Sequence, residues 1–96
     1  MDTIAVGSRM TREEVALVVR ETIIREAGLS VSPELLTEST GLMSDIVQID
    51  SMTFIRCLIG VEEALDSTFG DELLMQTGFK TVGGLIDRIY DAYLNA

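Results

Sequence analysis

The 96-residue sequence contains no histidine, and this absence removes several common catalytic and metal-binding chemistries. Ser–His and Cys–His nucleophile pairs need an imidazole base. The usual zinc sites need several histidine or cysteine ligands, and Cys57 is the only residue of either type. Cys57 itself lies in an apolar stretch whose only adjacent base is Arg56, which favours a buried packing role over a reactive thiolate. The acidic segment 66–72 lacks the alternating oxygen ligands of an EF-hand. We therefore expect neither intrinsic catalysis nor a metal site.

Basic residues are scarce, with 7 Lys and Arg against 16 Asp and Glu, and the formal net charge is -9. A surface of this sign repels nucleic acid and anionic membranes, attracts basic proteins and disfavours self-association. Residues 31–79 carry nine acidic side chains, and Arg56 is the only base among them. We predict a monomer whose partners are basic proteins rather than nucleic acid or membrane.

Features that would place the chain outside the cytoplasm are also missing. A single cysteine cannot form an internal disulfide, and residues 1–10 lack the basic and apolar blocks of a secretory signal. No uninterrupted apolar run approaches the roughly 18 residues of a membrane span. These observations favour a cytoplasmic location.

Tryptophan is absent and only 5% of residues are aromatic, so Leu, Ile, Val and Met must fill the core. Apolar residues recur at helical spacing, and no segment alternates as a strand would. One helix is predicted from a Thr11–Glu14 capping box to Gly28, a second over residues 51–65, and a last one after Thr81 as N-cap. The positions predicted to face the core are Val15, Val19, Ile23, Phe54, Leu58, Val61, Leu65, Val82, Leu85, Ile86, Ile89 and Tyr93.

A long connection over residues 30–50 separates the first two predicted helices. Ser32 followed by Pro33 predicts a short helical turn with Ser32 as its N-cap. A further short helix is expected over residues 71–77, closed by Gly78. The residues predicted to pin the connection to the core are Leu35, Leu36, Leu42 and Met43.

Gly83 and Gly84 lie in the first turn of the last predicted helix, where each costs up to about 1 kcal/mol relative to alanine. We expect another backbone to approach closely at this point. The fold predicted from these features is all-α, a small bundle of three to four helices with a long loop between the first and second helices. Residues 1–10 are expected to form a flexible leader, and residues 11–96 a single domain.

Ser51 lies at the head of the most apolar predicted helix and has two interpretations. Serine at a helix start is most often a cap. However, the adjacent Asp50 can also cap, and Ser51 ends a long loop, where functional groups tend to be presented. A phosphate ester on its hydroxyl would lie at the positive end of the helix dipole. The second interpretation is therefore a covalent attachment point.

The tripeptide Asp50-Ser51-Met52 is followed by an apolar helix that ends in Val61-Glu62-Glu63-Ala64-Leu65. This segment is similar to the Asp-Ser-Leu motif and second helix of the acyl carrier proteins, and the resemblance covers roughly residues 11 to 94. The likeness continues through Phe69, Asp71-Glu72-Leu73 and Phe79-Lys80-Thr81-Val82. The resemblance implies that Ser51 carries a 4′-phosphopantetheine arm donated by coenzyme A, with Asp50 as its motif neighbour. The arm's thiol would hold acyl groups as thioesters.

The resemblance also implies a set of partners and a surface for them. These are a phosphopantetheinyl transferase, an acyl- or aminoacyl-loading enzyme, and a ketosynthase or other tailoring enzymes with basic docking surfaces. Two acidic contacts and four further residues of the second helix would form the partner-facing surface. They are Met52, Ile55, Arg56, Ile59, Glu62 and Glu63.

Several departures from the family pattern bear on the pathway. Met52 replaces the usual Leu, Gln48 stands where Gly is common, and Phe54 and Arg56 stand where fatty-acid carriers tend to be small or acidic. A positive charge beyond the attachment site should change which partner surfaces are accepted. These departures favour polyketide or other specialised biosynthesis over fatty acid biosynthesis.

Two alternatives remain open at this point. The chain could be an aminoacyl (peptidyl) carrier of a nonribosomal peptide pathway, because helix patterns do not separate the two cargoes. It could also be a cofactor-free acidic helical adaptor, in which Ser51 is only a cap and Phe54 or Ile55 belongs to a docking groove.

Overall fold

The computed structural model describes residues 10–42, 50–69 and 81–95, except for the side chain of Ser51. Within these ranges the chain forms three α-helices, numbered here in chain order: α1 spans Arg12–Ala27, α2 spans Ser51–Leu65 and α3 spans Val82–Leu94. A 3-10 helix, Pro33–Leu35, follows α1. The same ranges hold no strand, only an isolated antiparallel bridge between Gly41 and Thr81. The predicted all-α bundle is confirmed.

Both predicted ends of α1 are confirmed. The Thr11 side chain accepts a hydrogen bond from the Glu14 amide at 3.2 Å, and the Glu14 carboxylate accepts one from the Thr11 amide at 2.7 Å. This reciprocal pair satisfies two amides of the first turn. At the other end Gly28 is left-handed, with φ 68°, and the amides of Gly28 and Leu29 both donate to the carbonyl of Ile24.

The core lies around α1, which packs against α2, α3 and the 3-10 helix. Most positions predicted to face inward are buried, while Phe54 and Tyr93 are half-buried against the cluster. The buried apolar residues are Val15, Ala16, Val19, Ile23, Leu36, Leu42, Cys57, Leu58, Val61, Leu65, Val82, Leu85, Ile86 and Ile89.

Gly60, for which the sequence predicted no role, lies where α2 packs closely on α1. A Cβ on Gly60 would lie 3.0 Å from the Thr22 methyl and 3.1 Å from the Arg25 guanidinium. Thr22 is buried and its hydroxyl donates to the Val18 carbonyl at 2.7 Å, so its polar atom is satisfied within α1. A glycine in the middle of a strongly apolar helix was the available signal, because a helical glycine costs stability and often marks a site of close packing.

The loop after α1 is anchored by Leu36 and Leu42, which are buried as predicted. The prediction for Leu35 was wrong, since its side chain is 56% exposed. Leu35 and Leu36 are consecutive at the end of a helical turn and therefore project in different directions, so only one of them reaches the core. Ser32 takes the N-cap position but makes no capping hydrogen bond with its side chain.

The same loop docks onto the first turn of α3 through backbone hydrogen bonds. The Val82 amide donates to the Thr40 carbonyl at 2.9 Å, and the Gly83 amide donates to the Glu38 carbonyl at 2.8 Å. Thr81 caps the helix as predicted, because its hydroxyl accepts from the Gly84 amide at 3.1 Å. These three bonds satisfy amides that a helix leaves without intrahelical partners.

The close backbone approach predicted for the two glycines of α3 occurs at one of them. A Cβ on Gly83 would lie 2.8 Å from the Glu38 Cβ and 2.9 Å from the Glu38 carbonyl oxygen. A Cβ on Gly84 would meet only the Thr81 hydroxyl, at 3.4 Å, which is an ordinary contact. The prediction is therefore confirmed for Gly83 and wrong for Gly84.

Arg12 joins α1 to the loop and to α3. Its two terminal nitrogens form a bidentate pair with the Glu38 carboxylate, each at 2.8 Å, and its Nε donates to Asp87 at 3.0 Å. The Arg12 guanidinium holds the pKa of Glu38 below its usual range, and the hydrogen bonds that it donates to the carboxylates of Glu38 and Asp87 raise the pKa of Arg12. This charged group links three elements that are far apart in the chain.

Arg12→Met is expected to lower the free energy of unfolding by about 1 kcal/mol near neutral pH, because partly exposed ion pairs contribute modestly. The folded-state pKa of Glu38 is depressed, so its stabilisation is complete above its unfolded pKa and is lost as the pH falls through its folded pKa. The difference between Arg12→Met and wild type should therefore shrink below about pH 4. Urea denaturation of both proteins, from neutral pH to below about pH 4, measures this difference in the free energy of unfolding. Arg88→Met, at an exposed arginine of α3, is the control, and a cost for Arg12→Met that does not change with pH would contradict the assignment.

Several sequence predictions fall outside the described residues. They are the leader over residues 1–9, the packing of Met43, and the short helix over residues 71–77 with Gly78. Met10 is described, and its amide donates to the Tyr93 hydroxyl at 2.9 Å. No helix in the described part of the chain is long and apolar enough to cross a membrane.

Candidate functional site

Asp50 occupies the N-cap position of α2, one residue before Ser51. Its backbone is extended, its carboxylate accepts from the Thr53 amide at 2.8 Å, and its carbonyl accepts from the Phe54 amide at 2.9 Å. The predicted capping by Asp50 is confirmed. Ser51 is the first helical residue and does not occupy the cap position. The backbone amide of Thr53 in the first turn of α2 is therefore capped by Asp50, the residue before the serine.

The charge of Asp50 is stabilised by the same geometry. The hydrogen bond from the Thr53 amide lowers the pKa of the Asp50 carboxyl, with smaller lowering effects from the Thr53 side chain and from the positive charge of Arg56. A carboxylate at a helix N-terminus also interacts favourably with the helix dipole. Asp50 is thus an anion at neutral pH, beside the positive end of α2.

One side of α2 faces away from the core and carries large apolar side chains. Met52 is 60% exposed, Ile59 is 49% exposed and Ile55 is also exposed. Arg56 and Glu63 are exposed on the same side, since three- and four-residue spacings put them in line with Met52 and Ile59. We call these five residues the outer face of α2. The structure thus brings together five of the six residues predicted to face partners.

The sixth, Glu62, has a structural contact instead. Its carboxylate accepts a hydrogen bond from the Phe69 amide at 2.9 Å and so holds the segment that follows α2. Its side chain is half-buried. No sequence pattern predicts this contact, because it links positions seven residues apart across a helix end. A shallow depression adjoins it, lined by Ile59, Glu62, Glu63, Asp66, Ser67 and Thr68.

The end of α2 is formed by a residue in the left-handed conformation. Asp66 has φ 52°, and its amide donates to the carbonyls of Glu62 and Glu63. The Ser67 amide also donates to the Glu62 carbonyl, at 3.0 Å. Aspartate is one of the few residues other than glycine that adopt this conformation. The helix therefore ends on an acidic residue one turn beyond the outer face.

Cys57 is buried in the core side of α2, as predicted. Burial raises the pKa of its thiol to about 11, the charge of Glu26 adds to this effect, and Arg25 opposes it. The thiol is therefore protonated at neutral pH and inaccessible, which is the opposite of a reactive nucleophile. Among the described side chains no group of three or more His, Cys, Asp or Glu could hold a metal ion.

Comparison of the chain with known protein families, with curated proteins and with solved structures finds no match. The functional assignment consequently depends on the residues themselves. Its two components are a serine placed directly after the capped start of α2 and an exposed face on the same helix.

Proposed function

We propose that this chain is an acyl carrier protein in which Ser51 is esterified by the 4′-phosphopantetheine of coenzyme A. The observation that carries the proposal is the capping of α2 by Asp50. Since the cap position is filled by the preceding residue, capping does not account for the serine at position 51. The resemblance of Asp50-Ser51-Met52 to the carrier motif gives the serine its role.

The local geometry suits a phosphodiester at this position. The first turn of a helix is the positive end of its dipole, and an anion there is stabilised by about 0.3–1 kcal/mol. The bound arm would supply the thiol that carries acyl groups as thioesters, and partner enzymes would supply the catalysis. In this proposal the chain itself is not an enzyme, and its residues hold the arm at one end of α2 and present the outer face beside it.

The proposed partners follow from this role. They are a phosphopantetheinyl transferase, an acyl-loading enzyme, and ketosynthases or tailoring enzymes of a polyketide or other specialised pathway. A net charge of -9 steers basic surfaces toward the chain and disfavours its self-association, so we propose a monomer. The proposed location is the cytoplasm, in keeping with a single buried cysteine. An aminoacyl cargo, loaded by an adenylating enzyme, fits the same geometry.

Intact mass after incubation with coenzyme A and a broad-specificity phosphopantetheinyl transferase tests the proposal. Wild type should gain one phosphopantetheine and Ser51→Ala none. Ser67→Ala is the matched control, because it removes a serine hydroxyl just beyond the other end of α2 and should leave the gain intact. All three proteins should be compared by circular dichroism to show that they are folded.

A folded wild-type protein that gains no mass with several transferases would contradict the carrier proposal. The exposed outer face of α2 would then favour the second candidate, a cofactor-free acidic adaptor. Modification of both wild type and Ser51→Ala would also contradict it, since the attachment site would lie elsewhere.

A further inference from the structure

Arg56 is a lone positive charge at the centre of the outer face of α2. It lies four residues after Met52 and three before Ile59, so it stands between these two exposed apolar side chains on the helix surface. No salt bridge to Arg56 occurs within the described ranges, although its charge lowers the pKa of Asp50 from a distance. Arg12, by contrast, is paired with two carboxylates. Arg56 is therefore a cation without a structural partner of its own among the described residues.

Burial of this face by a partner would change the surroundings of Arg56. A protein that covers Met52 and Ile59 also removes water from the guanidinium between them. A charge that loses its water without gaining a partner is strongly destabilising, and an opposed like charge adds repulsion. The negative net charge of this chain would thus attract a uniformly basic partner surface at long range, but Arg56 would repel that surface at contact. The surface that fits has the opposite charge at this one point.

We propose that the partners of this chain dock on the outer face of α2 with a carboxylate facing Arg56, apolar side chains facing Met52, Ile55 and Ile59, and basic side chains facing Glu63 and Asp66. The inference rests on the proposed function, because a carrier must be docked by its enzymes. The proposed function calls for partner enzymes with basic docking surfaces, and this inference specifies docking surfaces that carry both basic and acidic side chains. The position of one cation then sets both the register of docking and the choice of partner.

The discriminating power of Arg56 comes from its chemistry as well as its charge. Its planar guanidinium can form two parallel hydrogen bonds with one carboxylate, as Arg12 does with Glu38 elsewhere in this molecule. Such a pair fixes orientation as well as distance. A partner lacking the carboxylate would leave the guanidinium without acceptors on a surface from which water has been excluded.

Two synthetic amphipathic helical peptides of identical composition provide the probe. Both have the same leucine face and terminal lysines. In one peptide a glutamate interrupts the leucine face and a lysine lies on the opposite side, and in the other these two residues are exchanged. Net charge and hydrophobicity are therefore equal, and only the sign of the charge facing α2 differs. Binding is followed by the backbone amide resonances of the labelled apo protein.

The glutamate-centred peptide should bind wild type about tenfold more tightly than its isomer, with shifts confined to α2. Arg56→Glu should reverse this preference. Arg88→Glu makes the same charge change at an exposed arginine of α3 and should preserve the wild-type preference. Because Arg56 is exposed and has no salt bridge among the described residues, Arg56→Glu is expected to fold normally, and circular dichroism checks this.

A preference of wild type for the lysine-centred peptide would overturn the inference, as would equal affinities or the absence of binding by either peptide at millimolar concentration. These results are independent of pantetheine attachment, since the assay uses the apo protein. A wild type that gains phosphopantetheine but shows no preference for the glutamate-centred peptide would leave the carrier proposal intact and remove only the partner chemistry.

Discussion

Gly83→Ala is expected to lower the free energy of unfolding by about 3 kcal/mol, a large effect for one added methyl group. The new Cβ would lie 2.8 Å from the Glu38 Cβ and 2.9 Å from the Glu38 carbonyl oxygen. The carbonyl is backbone and cannot rotate away, so the loop must move off the helix. That movement would lengthen the hydrogen bonds that the Val82 and Gly83 amides donate to carbonyls of the loop. Chemical denaturation measures the loss.

Gly84→Ala is the matched control for this prediction. Its new Cβ would be 3.4 Å from the Thr81 hydroxyl and would meet nothing else. Replacing a helical glycine by alanine without a clash should stabilise the protein by up to about 1 kcal/mol. Two identical substitutions at adjacent positions are thus expected to have opposite signs. If both stabilise the protein, the loop does not pack on α3 as described.

Ile86→Ala is expected to lower the free energy of unfolding by about 3–4 kcal/mol. The side chain is fully buried in the apolar core, and its truncation leaves a cavity there. Total stability of a domain this small is of the same order, so Ile86→Ala is at risk of unfolding. Ile86→Val removes one methyl group, should cost about 0.5–1.5 kcal/mol, and keeps the prediction measurable.

Ile59→Ala is the control for the isoleucine series. Ile59 is 49% exposed on the outer face of α2, so its truncation removes little buried surface. Alanine is also the better helix former, and the net change in stability should be within about 0.5 kcal/mol of zero. The same variant should weaken the binding of the glutamate-centred peptide to α2. A loss of stability at Ile59 comparable to that at Ile86 would show that the outer face is covered within the chain itself.

Both ends of α1 and the starts of α2 and α3 could be predicted from the sequence, because each depends on residues within a few positions of one another. The capping box of α1, the left-handed Gly28, and the caps at Asp50 and Thr81 are all local, and all are confirmed. Helical periodicity likewise identified the buried faces of the helices. The error is Leu35, which lies in the connection after α1, where no periodicity applies. Consecutive leucines in a turn cannot both face the core, and the sequence does not show which one will.

Contacts between distant positions could not be predicted. Arg12 pairs with Glu38 and with Asp87, 26 and 75 residues away, and any of several acids could have served. The same holds at the candidate site. The resemblance to the carrier family implied the exposed members of the outer face, but the Glu62 carboxylate accepts a hydrogen bond from the Phe69 amide, a contact that depends on how the chain leaves the helix.

The contact between Met10 and Tyr93 has a consequence for synthesis of the protein on the ribosome. These residues are 83 positions apart, and Arg12 and Asp87 are 75 apart, so the contacts between the start of α1 and α3 form only when α3 is complete. At about 5–20 residues per second, α1 leaves the ribosome seconds before α3 is synthesised. A nascent chain stalled before residue 82 would therefore lack the contacts that α1 makes with α3, and the apolar residues at that contact would be exposed to chaperones.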